Sequence, residues 1–244
     1  TFYPELINEV QPNILNDVLS VEYGDYNFCV LTKNGTLYTW GMNGGQLGDG
    51  ATANRSKPYA ILNDVVSFAF GEIAAVAVTR DGSLYTWGKK YSNGNSPVKI
   101  GDGIAMVFHD YNYAAAIAQD GSLYTWHIGS PDVRTKIEIP GKVISYTALE
   151  SSEAAITENC DLYMWGYNSH GELGDGTTNS CYTPKLVKRH IDSVYADGST
   201  IASVTKDGEL YMWGDNSQNL IVGNNEENVL TPTKINLKSS AEPT

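Results

Sequence analysis

Residues 81–88 read DGSLYTWG, and the tetrapeptide at their centre returns along the chain. LYTW occupies 37–40, 84–87 and 123–126, and LYMW occupies 162–165 and 210–213. Every Trp of the chain sits in one of these copies, so Trp40, Trp87, Trp126, Trp165 and Trp213 form a ruler with intervals of 47, 39, 39 and 48 residues. Self-similarity at such a period marks a repeat architecture, in which each unit buries its apolar face against the next. Aligned on Trp, the units run 17–62, 63–101, 102–141, 142–190 and 191–238.

The second unit shows the plan of each. VVSFAFG (65–71), AAVAVT (74–79), SLYTWG (83–88) and SPVKI (96–100) are β-rich runs separated by turn residues, which predicts four short strands. Between the second and third strands stand Asn34-Gly35, Asp81-Gly82, Asp120-Gly121 and Asp207-Gly208. Such pairs predict type I′ hairpins, in which both central residues need positive φ. The fourth unit has Asn159-Cys160 instead, which predicts either another turn or about 1–2 kcal/mol of strain at Cys160. Side chains alternate along a strand, so Leu and Thr or Met of LYxW share one face while Tyr and Trp share the other. One large aromatic per unit is what face-to-face packing of radially arranged sheets requires, so all five Trp are assigned to the blade core.

In two units the signature runs on through an Asn into a Gly-rich loop, GMNGGQLGDG at 41–50 and GYNSHGELGDG at 166–176. The loops are shorter in units two and three (KKYSNGNS, HIGSPDVR), and the fifth keeps GDNSQNLIVG. This pattern resembles the regulator of chromosome condensation repeats, which form β-propellers, and the resemblance extends over about residues 17–238. It implies an all-β fold, a β-propeller with five visible four-stranded blades. Family members usually have seven units. QPNILNDV at 11–18 matches KPYAILNDV at 57–65, an outer strand whose own blade is not visible. Two arrangements fit: a closed five-bladed ring whose N-terminal strand pairs with the last blade, or a section of a seven-bladed propeller. A single domain over 9–238 is expected, with tails at 1–8 and 239–244.

The formal net charge of −12 and pI near 4.6 argue against non-specific attraction to nucleic acid or an anionic membrane, and no apolar run reaches the length of a membrane-spanning helix. Cys29, Cys160 and Cys181 lack the spacing of a disulfide framework or metal site, although one bridge remains open. His109, His127, His170 and His190 have no Cys or acid at ligand-like spacing. Asp215, Ser217, Asn219 and Glu226 copy part of a calcium-loop spacing, but Leu220 stands where such loops need Gly. No nucleophile–base grouping can be named. A non-enzymatic protein without cofactor or metal is expected.

Propeller architecture places the first-to-second connections of all units on one face. They read EYGDYN (22–27), FGEIA (70–74), HDYNY (109–113), LESSE (149–153) and ADGST (196–200), and none contains Lys or Arg. Glu22 contributes to this acidic rim, and Asp25, Tyr26, Glu72, His109, Asp110, Tyr111, Glu150, Glu153 and Asp197 are the partner-binding candidates. Carboxylates around a channel focus a field that attracts a basic surface, and Tyr among them supplies rigid contact area. The leading expectation is an interaction scaffold or inhibitor that binds a protein with a basic surface, with self-association if the ring is incomplete. A carbohydrate or small cationic ligand receptor is the alternative from another class. The resemblance also implies guanine nucleotide exchange on a small GTPase, but the chain shows neither a long wedge-like insertion nor a basic tail. Bacterial members of the family include a secreted β-lactamase inhibitor with similarly shortened units, which points toward an extracellular or cell-surface setting.

Overall fold

The computed structural model describes residues 17–24, 26–71, 74–88, 94–110, 113–149, 152–221 and 226–236. Five antiparallel sheets follow one another along the chain, each a four-stranded meander in sequential order. Blade 1 holds β1 (Val18–Gly24), β2 (Asn27–Thr32), β3 (Leu37–Gly41) and β4 (Arg55–Leu62). Blade 2 holds β5 (Val65–Phe70), β6 (Ala74–Thr79), β7 (Leu84–Gly88) and β8 (Val98–Gly101). Blade 3 holds β9 (Ile104–Asp110), β10 (Tyr113–Ala118), β11 (Leu123–His127) and β12 (Thr135–Ile137). Blade 4 holds β13 (Val143–Leu149), β14 (Ser152–Thr157), β15 (Leu162–Gly166) and β16 (Cys181–Lys188). Blade 5 holds β17 (Ile191–Asp197), β18 (Thr200–Thr205), β19 (Leu210–Asp215) and β20 (Asn228–Lys234). The chain forms two compact units, the first containing blades 1 and 2 with most of blade 3, the second containing the 120–123 turn with blades 4 and 5.

The hairpins differ from the type I′ expectation. Positive φ occurs at Gly35, Gly82, Gly121, Cys160 and Gly208, but the preceding Asn or Asp keeps negative φ in every unit. In blade 1 the Gly35 N–H donates to Thr32 O and the Thr32 N–H to Thr36 O, and blades 2, 4 and 5 repeat both bonds. These are three-residue loops, a type I turn followed by one left-handed residue. The acidic or amide side chain selects this form by accepting hydrogen bonds locally. Asp81 Oδ1 accepts the Ser83 N–H at 3.1 Å and the Thr79 hydroxyl at 2.6 Å. Together these hold the Asp81 carboxyl down at about 2.

The left-handed residue also joins neighbouring blades. Gly35 O accepts the Val65 N–H at 2.8 Å, and Gly82 O accepts the Ile104 N–H at 3.1 Å. Cys160 O accepts the Ile191 N–H at 2.9 Å in the same way. Cys160 therefore adopts φ +61 like the glycines, which resolves the choice between another turn and strain in favour of strain.

Side-chain alternation does the rest of the packing. The Leu-bearing face of blade 1 (Cys29, Leu31, Leu37) packs with Leu47 on the Trp-bearing face of blade 2 (Phe68, Phe70, Ala75, Trp87). Blade 2 repeats this against blade 3, with Val76, Val78 and Leu84 meeting Val107, Ala114 and Trp126. In the second unit Ile156, Leu162 and Met164 meet Val194, Ile201 and Trp213. All three cysteines are free, and burial followed by the nearby Glu22 charge pushes the Cys29 thiol well up.

The Trp residues are less uniform than their sequence. Trp87, Trp126, Trp165 and Trp213 are buried, whereas Trp40 is half-buried and stacks on the exposed Phe28 with ring centroids 5.3 Å apart. In denaturant unfolding followed by circular dichroism, Trp87→Ala should cost about 3–5 kcal/mol and Trp40→Ala only about 1 kcal/mol. Cys160→Gly should raise stability by about 0.5–1 kcal/mol, the relieved left-handed strain less the added entropy of the unfolded chain.

Candidate functional site

Antiparallel pairing decides which loops share an end of each blade. The residue after the signature Trp pairs with the first residue of the second strand: Gly41 with Asn27, Gly88 with Ala74, Gly166 with Ser152 and Gly214 with Thr200. The first-to-second connection and the long third-to-fourth loop therefore leave from one end, and the hairpin turn lies at the other.

The Gly-rich loops at this end are held by an Asn core. Asn43 Oδ1 accepts the Gly45 N–H at 2.8 Å, while its Nδ2 donates to Asp49 Oδ1 at 2.9 Å. Asn168 and Asn216 act alike, accepting the Leu173 and Ile221 N–H groups at 2.8 Å each. The loop so shaped receives the next blade's Trp. Trp87 Nε1 donates to Gln46 O at 3.0 Å, and Trp213 Nε1 donates to Glu172 O at 2.8 Å. A Cβ on Gly48 would fall 2.6 Å from Trp87 Nε1, and one on Gly174 would fall 2.8 Å from Trp213 Nε1. Blade 2 has a short loop, and Trp126 Nε1 on blade 3 has no hydrogen-bond partner among the described residues. The Arg134 guanidinium instead lies 5.8 Å from the Trp126 ring centroid.

Of the candidates for the acidic rim, Asp25, Glu72, Tyr111, Glu150 and the Asp110 side chain lie outside the described residues. Tyr26 is exposed, and its carbonyl accepts the Met42 N–H at 2.8 Å, tying the turn to the Gly-rich loop. Asp197 is exposed at the end of β17. Glu153 is half-buried and accepts the Tyr146 hydroxyl at 2.8 Å. His109 is half-buried over Gly71, where an added Cβ would lie 2.1 Å from its Cε1.

Two features correct the picture of a plain carboxylate ring. Glu22 is committed to structure, because its Oε2 accepts the Phe70 N–H of blade 2 at 2.6 Å. Burial raises its carboxyl and this hydrogen bond opposes the rise. The loop end also holds cations that the short connections do not show. Arg55 pairs with Asp49 and lies 4.0 Å from the Tyr59 ring centroid, and Lys185 pairs with Asp175 at 2.6 Å. Asp49 and Asp175 are held low despite the opposing effect of burial, because these cations and neighbouring donors bond to them. Each pair neutralises itself between the Gly-rich loop and the outer strand that follows it.

Tyr23, which was not among the candidates, is exposed one residue before the first turn. His127 stands where other units have Gly and meets the exposed Tyr113 edge-on at 5.3 Å. The visible signal was the aromatic residue at each position, but its exposure follows from which face has a neighbouring blade.

The comparisons fit this geometry. Residues 18–45, 34–78 and 161–196 match the regulator of chromosome condensation (RCC1) repeat. The chain carries RCC1 repeats. Among solved structures, human WBSCR16 shares 20% identity at a TM-score of 0.69, covering 90% of this chain and 67% of that one. Prp20p from Saccharomyces cerevisiae, described with its binding to Gsp1p and histones, shares 19% identity at a TM-score of 0.72, covering 91% of this chain and 64% of its own. The same yeast RCC1 bound to Kap60 gives 18% identity, a TM-score of 0.70, and coverage of 91% and 62%. The chain thus spans about two thirds of the length of these proteins, and the likeness is one of fold. No curated protein matches the sequence. The all-β RCC1-type propeller fold expected from the repeats is the fold found.

His109 gives this region a pH dependence. Burial lowers its imidazole from 6.5 to about 4, so the folded protein binds fewer protons than the unfolded chain between those values. Its contribution is complete above pH 6.5 and is lost as pH falls toward 4, by about 3 kcal/mol. Denaturant midpoints should therefore fall less steeply over this window in His109→Gln than in the parent protein, and NMR titration should place the His109 midpoint near 4.

Proposed function

We propose that this chain is a non-enzymatic protein-binding propeller that acts as an interaction scaffold or inhibitor through its loop end. In this reading residues 9–238 work as one domain, and the partner presents a basic surface to the short first-to-second connections. The observation that carries the proposal is the composition of these connections together with the exposure of their described residues. The five connections contain no Lys or Arg, and Tyr26, Tyr113 and Asp197 stand exposed at their ends. Exposed Tyr provides contact area at low entropic cost, and carboxylates without nearby cations in the sequence give a field that steers a basic partner. Protein binding is described for a protein with this fold: Prp20p, the yeast RCC1, was described with its binding to Gsp1p and histones and was solved bound to Kap60. Guanine nucleotide exchange is the weaker reading, because no long insertion rises between the described strands of a blade.

The site is tested by isolating the partner from the source cells, identifying it and titrating it by calorimetry. Tyr26→Ala with Asp197→Ala should weaken binding by about fivefold or more while leaving the melting temperature unchanged. The loss should be larger at low salt, where charge is screened least. Unchanged affinity would remove the loop end from the binding surface, and reproducible glycan binding that the same variants abolish would favour the carbohydrate reading.

A further inference from the structure

One register of the first strand ties the packing of blades 2 and 3 to pH. The residue opposite the second position of the second strand is Tyr23 in blade 1, Phe70 in blade 2, Ala148 in blade 4 and Ala196 in blade 5, none of which takes up a proton in mild acid. Blade 3 has His109 there, opposite Ala114. The ring covers Gly71 of blade 2, with Cε1, Nδ1 and Nε2 at 2.1, 2.6 and 2.8 Å from the place a Cβ on Gly71 would take. Its Nε2 is buried without a hydrogen-bond partner among the described residues. β9 packs on β5 and β6, whose sequences VVSFAF and AAVAVT carry no titratable side chain, and β10 adds only the Tyr113 hydroxyl. From blade 1 the Glu22 carboxylate reaches the same end of β5, but it accepts the Phe70 N–H at 2.6 Å and has the Cys29 thiol beside it. The side chains of Glu72 and Asp110 lie outside the described residues.

The seam under His109 is tied mainly away from the loop end. Blade 1 holds blade 2 at that end through Glu22 and through Gln46 O on the Trp87 indole. Blade 3 holds blade 2 in mid-strand, where the Val107 N–H donates to Ser67 Oγ at 3.1 Å, and at the hairpin end, where the Ile104 N–H donates to Gly82 O at 3.1 Å. Arg134 adds a bond to Ile100 O of the outer strand. We infer that uptake of a proton by His109 opens the seam between blades 2 and 3 from its loop end, with the hairpin end as the hinge. An imidazolium over Gly71 meets only apolar strands, and opening gives it water. Burial accordingly lowers the closed form to about 4 from 6.5, so closure is favoured fully above 6.5 and progressively lost toward 4. The seam between blades 1 and 2 responds differently. Burial raises the Glu22 carboxyl, so acid relieves its buried charge, and the uncharged acid keeps a carbonyl oxygen for the Phe70 N–H. All these residues belong to the first compact unit, and the device does not depend on the loop end binding a protein.

Amide hydrogen exchange followed by NMR, with the intrinsic pH dependence of exchange divided out, tests this. With an ordinary imidazole in the open form, the open-to-closed ratio should rise about thirtyfold between about pH 7.5 and 5. The Val107 amide, bonded across the seam, should lose protection by that factor. The Phe70 and Val65 amides, bonded to blade 1, and the Ile104 amide at the hinge should keep theirs. His109→Phe, which places the residue of blade 2 at this register, should remove the pH response. His109→Gln, smaller and also unable to charge, should remove it as well and serves if Phe does not fit. A Val107 amide whose protection does not change with pH overturns the proposal. So does a fall shared equally by every amide, which would be unfolding of the whole unit, or a response that survives substitution of His109.

Discussion

The packing within each compact unit turns on an indole buried under the preceding blade, with its N–H given to a loop carbonyl at Trp87 and at Trp213. A buried Trp adds its large apolar area to the interface but also a polar N–H, which costs free energy unless bonded. Gln46 O and Glu172 O meet that need at 3.0 and 2.8 Å. The glycines of the loop follow from it, since any Cβ at Gly48 or Gly174 would collide with the ring. So does the Asn, which holds the loop backbone in shape from within. Motifs separated by about 40 residues are thus halves of one contact.

A second constraint works at the opposite end of each blade. The hairpin must turn the chain and also direct a carbonyl at the first strand of the next blade, and only a left-handed residue does both here. Gly supplies this without steric cost, and Cys160 supplies it under strain, bonding Ile191 as the glycines bond Val65 and Ile104. Blades 1 and 2, and blades 4 and 5, are therefore linked by backbone at one end and by indole at the other. This leaves the first-to-second connections free of packing duty in part only. Glu22 and His109 are drawn into inter-blade contacts, while Tyr26 and Asp197 remain available.

Much of the fold was legible because repetition reveals register. Five copies of LYxW fixed the third strand of every blade, and period-two alternation assigned its faces correctly. The turn type was not legible, because Asn-Gly and Asp-Gly serve both I′ hairpins and the type I turn with a left-handed residue. The local acceptor bonds from Asn34 and Asp81 decide between them. The candidate site was legible as a set of loops rather than as a set of groups. Glu22 reads as one more acid in the rim, and its bond to Phe70 joins residues 48 positions apart.

By itself, then, the sequence determined the number of visible blades, their strands, the aromatic core and the absence of cations in the short connections, since each is a property of local pattern and composition. Only the tertiary structure decided which copies of that pattern are covered. Trp40 and Trp87 have the same four-residue context, yet one is half-exposed and the other fully buried, because burial belongs to the neighbouring blade and not to the residue.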